Sequence, residues 1–293
     1  MIRIQSKYVR FFVFMIIVVL VVICFALVHL VRLEKVIIEQ NQQQLLTIAH
    51  VQANHIENRV ENIKNDLFLI AHDPRVRRFY NDASYYEDII HICTNVISQR
   101  STLIHSIDFL SGTDELLFRY PDSKGFTRTD YADMEDLRQL KAHMQHYRED
   151  PYTRPFVSDM FTVHGEEKFF SLLQPVITDT DVIGIVRIVI NCKRFDELLN
   201  EIRISDKGYS WIIDKRGHIL SHPYFDFVAV DILDVLREEY PTFEWSTLAN
   251  ILTIMRQGKK GTGAYYYPEK IDDGVRRIKK IVGYAPIFLD NVL

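Results

Sequence analysis

Ile56-Glu57-Asn58-Arg59-Val60-Glu61-Asn62-Ile63-Lys64-Asn65-Asp66-Leu67-Phe68-Leu69-Ile70 is the stretch whose reading decides the fold. Its apolar positions Ile56, Val60, Ile63, Leu67 and Ile70 follow a 4-3-4-3 spacing, the seam of a helix that packs along its length. Neither glycine nor proline occurs between Leu33 and Asp73, so one helix is expected from Leu33 until His72-Asp73-Pro74 stops it. At ~1.5 Å per residue such a helix is roughly 60 Å long. Upstream the stripe weakens into Asn41-Gln42-Gln43-Gln44, a polar neck. The seam is expected to pack on the protein's own body and also to meet a second copy, giving a homodimer through this stalk.

The stalk follows an anchor. Phe11 to Val28 is an unbroken apolar run of 18 residues, extended to Val31 past His29. That length crosses a hydrocarbon layer of ~30 Å. A cleaved signal peptide has a shorter apolar core and a small-x-small cleavage site, and nothing after Val28 fits one. Cys24 follows Ile23 rather than a small residue, which argues against a lipoprotein. Arg3, Lys7 and Arg10 on one flank outnumber Arg32 and Lys35 on the other. The positive-inside rule therefore puts the N-terminus in the cytoplasm and the body outside the inner (cell) membrane, periplasmic or extracellular. Val182–Ile190 is too short to cross back and contains Arg187, so a single pass is expected.

Charge divides in the same way. The 293 residues carry 35 basic and 39 acidic groups, and the first 33 residues hold four of the basic ones and no acid. The body is acidic, which argues against nucleic acid as a partner. Outside the membrane only Cys93 and Cys192 remain. A disulfide between them is open, and two buried free thiols are the plainer reading.

Beyond the stalk, helical spacing returns over Asp82–Arg100, followed by a hairpin of Ile104–Leu110 and Glu115–Tyr120. A polar helix is expected over Tyr131–Arg148, then strands Phe156–Val163, Lys168–Thr178 and Val182–Asn191, and a short helix Lys193–Ile202. A similar order then begins again. Gly208–Asp214 and Gly217–His222 form a hairpin, Asp231–Glu239 and Trp245–Gln257 are helices, and Gly263–Tyr267 and Arg276–Pro286 are long strands. The expected class is α+β, two tandem modules with antiparallel sheets on one long helix. The divisions are 1–10 cytoplasmic N-terminus, 11–32 transmembrane helix, 33–72 stalk, 73–203 membrane-distal module and 204–293 membrane-proximal module.

Motifs for catalysis are lacking: no G-x-S-x-G, P-loop, H-E-x-x-H or G-x-G-x-x-G occurs. His218 and His222 are four apart on a strand, where that spacing separates side chains by ~13 Å. His143 and His146 have no third ligand nearby, and Glu166-Glu167 and Asp272-Asp273 lie in turns. Neither an enzyme, a metal nor a cofactor is expected. What remains is a cluster of arginines and tyrosines in the first module. Tyr120, Arg128, Tyr131, Arg138, Tyr147, Arg154 and Asp159, with Tyr152 beside them, are expected to wall a pocket in which arginine holds a carboxylate bidentately. The ligand expected is a small organic anion.

The arrangement resembles a known family, the extracytoplasmic double Cache, PAS-like sensor domain of bacterial transmembrane signalling receptors. The resemblance covers roughly residues 34–288. It rests on Phe156-Val157-Ser158-Asp159-Met160-Phe161, Leu173-Gln174-Pro175-Val176 and Asp181-Val182-Ile183-Gly184-Ile185-Val186 in the first module. In the second it rests on Gly208-Tyr209-Ser210-Trp211-Ile212-Ile213-Asp214, Gly217-His218-Ile219-Leu220-Ser221-His222-Pro223, Gly261-Thr262-Gly263 and Tyr284-Ala285-Pro286-Ile287. It implies that a small molecule binds in the distal module. The shift then passes through a second membrane helix to a histidine kinase, diguanylate cyclase or chemotaxis output domain. Family members that bind amino acids carry an Arg-x-Trp-Tyr cluster, a Tyr-x-Asp and a later Asp. Here 133–147 contains no tryptophan, Asp159 matches the middle acid but Val157 stands where the tyrosine would be, and Val189 falls near the later acid, so the amine-holding half is mostly missing. A free α-amino acid is therefore not the expected ligand. The residues end at Leu293, where family receptors continue into another membrane helix. A receptor fragment is the first expectation and a membrane-tethered solute-binding or interaction protein the alternative.

Overall fold

The computed structural model describes residues 2–100, 103–121, 135–150, 152–163, 167–178, 181–201, 204, 208–222, 231–271 and 274–289. Anchor and stalk are one uninterrupted helix, α1 (Ile2–His72). From Phe11 to Val31 its side chains are exposed, whereas Ile56, Val60, Ile63, Leu67 and Ile70 are buried to 4% exposure or less. The whole seam is covered by the protein's own body, so no part of it is left to meet a second copy. Asp73 ends α1 and starts α2 (Pro74–Asn81): its carboxylate accepts from the Arg75 backbone N–H at 2.8 Å, and Pro74 takes the first turn, where no N–H is needed. Helix α3 (Tyr86–Arg100) follows.

The first module is a six-stranded antiparallel sheet. Its strands are β1 (Ile104–Ser111), β2 (Leu116–Tyr120), β3 (Phe156–Val157), β4 (Phe161–Val163), β5 (Glu167–Thr178) and β6 (Asp181–Asn191). The order is β2-β1-β6-β5-β3, with β4 also on β5. The single strand expected over Phe156–Val163 is two strands: the Ser158 N–H still donates to the Ser171 carbonyl at 2.9 Å, but the Ser158 carbonyl turns out of the ladder. The Ser158 hydroxyl accepts from the Ser171 N–H at 2.9 Å, a bond that a backbone carbonyl would otherwise take. Alternation gives the sheet two buried faces. Ile107, Phe109, Phe170, Leu172, Val186 and Ile188 pack on α1, α2 and α3. Leu110, Leu173, Ile177 and Ile185 pack on Leu137, Leu140 and Tyr147 from α4 (Glu135–Ala142) and α5 (Met144–Glu149). The helix expected over Tyr131–Arg148 thus breaks at His143, and 122–134 lie outside the described residues. Cys93 and Cys192 are buried free thiols, each pushed up to about 12 by burial.

Helix α6 (Phe195–Asn200) leads to the second module. There β7 (Ile212–Ile213) and β8 (Ile219–Ser221) form one ribbon, and β9 (Gly261–Ile271) and β10 (Gly274–Tyr284) another. The first ribbon is shorter and the second longer than the sequence pattern suggests. Helices α7 (Ile232–Glu239) and α8 (Ser246–Arg256) close a separate core around Trp245, Leu252 and Leu236. At Gly283 the last strand touches the stalk: a Cβ there would collide with the backbone of Leu45 and Leu46.

Candidate functional site

The α4/α5 face of the first sheet carries charge where apolar packing would be the default. Along one register row, Arg119 pairs with Asp108, Asp108 with Arg187, and Arg187 with Leu173. Arg119 is 8% exposed, Asp108 0% and Arg187 2%. Arg119 grips Asp108 bidentately, Nε to Oδ1 at 2.7 Å and Nη2 to Oδ2 at 2.9 Å. Arg187 donates to Asp108 Oδ2 from Nε at 3.0 Å and Nη2 at 2.6 Å, and from Nη1 to Asp136 Oδ2 at 3.0 Å. Asp136, 4% exposed, sits in the first turn of α4, so the network ties that helix to the sheet. Two cations and two anions leave the cluster neutral, which is what makes burial of four charges tolerable. Burial alone would raise the Asp108 carboxyl, but the charges and hydrogen bonds of Arg187 and Arg119 outweigh it and hold it below the ordinary value.

The adjacent register row is different. Ser106 pairs with Val189 and Val189 with Ser171. Both serines are fully buried, and neither hydroxyl has a hydrogen-bond partner among the described residues. A buried unpaired hydroxyl costs about 1–3 kcal/mol. Two of them beside a guanidinium on one face form a polar wall with unused capacity.

The residues singled out in sequence do not converge here as a group. Tyr147 does belong to this face: it is buried, and its hydroxyl donates to the Arg154 carbonyl at 2.7 Å. Tyr120 points the other way, its hydroxyl accepting from Thr94 of α3 at 2.9 Å. The Arg154 side chain is exposed and donates to Glu61 of the stalk at 2.6 Å. Arg138 is exposed on α4. Asp159 is exposed, held by Gln139 at 2.9 and 3.3 Å, with Lys215 of the second module 3.6 Å away. Tyr152 is exposed and stacks on His72. Arg128 and Tyr131 lie outside the described residues. The network residues Asp108, Arg119, Asp136 and Arg187 were not among the candidates. Their signal is a charge in mid-strand between apolar neighbours, Ile107-Asp108-Phe109 and Val186-Arg187-Ile188.

The double Cache family model, described as a Cache domain, matches residues 33–287. No curated protein matches the sequence. Among solved structures, a domain assigned to a sensory box/GGDEF family protein of Vibrio parahaemolyticus aligns at TM-score 0.57 and 13% identity, covering 85% of this chain and 97% of that one. The extracellular domain of a protein assigned as a histidine kinase, vpHK1S-Z8, aligns at TM-score 0.53 and 13% identity, covering 84% and 92%. At this identity the likeness is one of fold.

Proposed function

The chain belongs to the Cache domain family in its double form, and on that premise we propose that it is the ligand-sensing, extracytoplasmic region of a membrane-anchored signalling receptor. The apolar part of α1 is long enough to cross a membrane. The cationic N-terminal flank supports a cytoplasmic N-terminus with the body outside. The output served is of histidine kinase, diguanylate cyclase or chemoreceptor type.

The ligand sits in the distal module, on the α4/α5 face of the sheet, with Arg187 and Arg119 at its back wall and Tyr147 beside it. The observation that carries this reading is the pair of buried, unpartnered hydroxyls of Ser106 and Ser171 next to Arg187. Among the described residues of this face, Asp108 and Asp136 both accept from arginine, and 133–147 contains no tryptophan. On this reading the ligand is a small organic anion rather than a free α-amino acid. Binding signals only if the two conformations of the module differ in affinity.

A homodimer through the stalk uses the face opposite the seam. Val51, Asn54, Asn58, Asn62, Asn65 and Leu69 are exposed and fall on one side of α1 at spacings of three and four. Calorimetric titration of the full chain in nanodiscs, with short mono- and dicarboxylates against the α-amino acids, tests the ligand class. Saturable carboxylate binding is expected, and tight binding of amino acids alone would overturn the anion reading.

A further inference from the structure

One meeting point of the two modules is the turn between β7 and β8, residues 214–218. Lys168, on β5 of the first module, reaches across to it. Its Nζ donates to Asp214 Oδ2 at 3.3 Å and lies 3.2 Å from His218 Nδ1. His218 Nδ1 is itself 3.0 Å from the same Asp214 oxygen. The Lys168 side chain is 8% exposed and that of Asp214 10%, whereas the His218 ring is 28% exposed, so a proton reaches the ring from solvent. Asp159 and Lys215 span the same joint at 3.6 Å, but both side chains are exposed and such a pair contributes little. Lys168 is the buried cation that fastens the turn to the sheet.

The turn keeps its own shape. Asp214 Oδ1 accepts from the backbone N–H groups of Arg216 and His218, each at 2.8 Å, and the Asp214 N–H donates to the His218 carbonyl at 2.9 Å. Oδ1 is thereby committed, and Oδ2 is the oxygen for which Lys168 and His218 compete. Burial alone would raise the Asp214 carboxyl, but the His218 backbone N–H and the charge of Lys168 outweigh it and hold it below the ordinary value, so Asp214 stays ionised in mild acid. Among the described residues around the ring, the other titratable groups are engaged or neutral. The Asp231 carboxylate, across a backbone bridge from His218, accepts from the Leu233 N–H and pairs with Arg256. The Cys192 thiol, which feels both Lys168 and Asp214, is pushed up to about 12 by burial. Arg216 is exposed. With a neutral ring whose proton sits on Nε2, Nδ1 accepts from Lys168 and all three side chains are satisfied. A second proton turns Nδ1 into a donor. It then takes Oδ2 for itself and sets a positive charge 3.2 Å from the ammonium, in a joint largely closed to water.

We propose that His218 is a proton-operated catch between the two modules. Neutral, it accepts from Lys168 and holds the β7–β8 turn on β5. Protonated, it binds Asp214 and drives Lys168 off, and the ribbon parts from the first module. Histidine changes charge between about pH 5 and 8, so the joint answers to mild acid. As a sensory input this rests on the body lying outside the membrane; the catch itself does not. It uses none of the residues of the ligand face, so the two inputs fail or stand separately.

The probe is the proton. Hydrogen exchange of the full chain in nanodiscs is compared at about pH 8 and about pH 5.5, with times scaled to the intrinsic rate at each. A two-stranded ribbon as short as β7–β8 is marginal unless docked. Residues 212–221 are therefore expected to lose protection about tenfold or more at the lower pH, while α8 keeps its own. This reading needs no variant to fold. His218→Gln offers Lys168 a neutral acceptor at both pH values and is expected to remove the difference. Lys168→Met removes the repulsion and is expected to do the same. His222→Phe leaves the three side chains of the joint in place and is expected to retain it. Equal protection of 212–221 at the two pH values in the unmutated chain would overturn the proposal. So would a loss of the same size in α8, a difference that survives in His218→Gln, or one that vanishes in His222→Phe.

Discussion

Arg187 Nη2 lies 2.6 Å from Asp108 Oδ2 across two neighbouring strands, with both side chains shut off from solvent. Arg119 completes the grip on Asp108, and Asp136 the grip on Arg187. Removing one charge from such a set strands the others. Asp108→Asn is expected to cost about 3–5 kcal/mol in urea unfolding of the full chain, because two buried guanidiniums lose their shared acceptor. The pH dependence follows from the lowered folded-state value of Asp108. The stability it contributes is complete above the ordinary carboxylate value of about 4 and is lost as pH falls further, through the depressed value. The Asn variant should show a shallower decline on that acid limb. A midpoint unaltered by the substitution would show that the network stabilises nothing.

Ser106 and Ser171 make the opposite prediction. Each hydroxyl is buried without a partner among the described residues, so Ser171→Ala or Ser106→Ala should leave the unliganded protein as stable as before, or more so by up to about 1 kcal/mol. Ligand affinity should fall. Loss of stability without loss of binding would mean that these hydroxyls face structure rather than ligand.

His222 governs a different pH window. Its folded-state value is depressed to about 4, first by burial and then by Lys280. The stability tied to its neutral form is complete above the unfolded value of about 6.5 and is lost as pH falls from there toward 4. A loss on the order of 1–3 kcal/mol is expected over that interval. His222→Phe, which keeps the ring against Tyr209 and Trp211, should flatten it. Melting temperatures between pH 7 and 4 decide this, and equal slopes for both proteins would remove His222 as the cause.

Much of the fold is legible locally. The seam from Ile56 to Ile70 and the alternation of Ile107 and Phe109 are patterns within one element, and such patterns are set by which face is buried. The site is not local. Asp108 and Arg187 are 79 residues apart and meet only through strand register. Tyr120 is the candidate that the sequence pattern offers, and the buried network uses its neighbour Arg119. One residue along a strand is the difference between the α4 face and the α3 face. Arg154 and Asp159 have the right chemistry but lie on the surface, where Glu61 and Gln139 hold them. The stalk seam is legible as a buried face, and what buries it is this chain's own first sheet and its helices.

Gly283 is the point at which the last strand, β10, meets the stalk. A methyl group there runs into the backbone of Leu45 and Leu46, which has no rotamer to move. Gly283→Ala is expected to destabilise the protein by about 1–3 kcal/mol and to lower the protection of residues 45–53 in hydrogen exchange. A variant as stable and as protected as the parent would show that strand and helix are not in firm contact.

The outward face of the stalk is the remaining question. Asn54, Asn58, Asn62 and Asn65 recur there between Val51 and Leu69, all exposed and none charged. Asparagine is a poor helix former, so local propensity does not account for four of them on one face. Placed against a second copy, their amides can pair across a two-fold axis, and a polar residue in a helical seam fixes register. In membranes holding the full chain with Cys24→Ser, Asn62→Cys is therefore expected to cross-link to a dimer on mild oxidation, since Cys93 and Cys192 are buried. Adding Asn58→Glu and Asn65→Glu sets like charges face to face and should abolish the cross-link without altering the melting temperature. Ile63→Asp should instead unfold the stalk from its sheet, because Ile63 is 1% exposed within one protomer. If the glutamate pair left the cross-link intact, the asparagine face would not be the dimer contact.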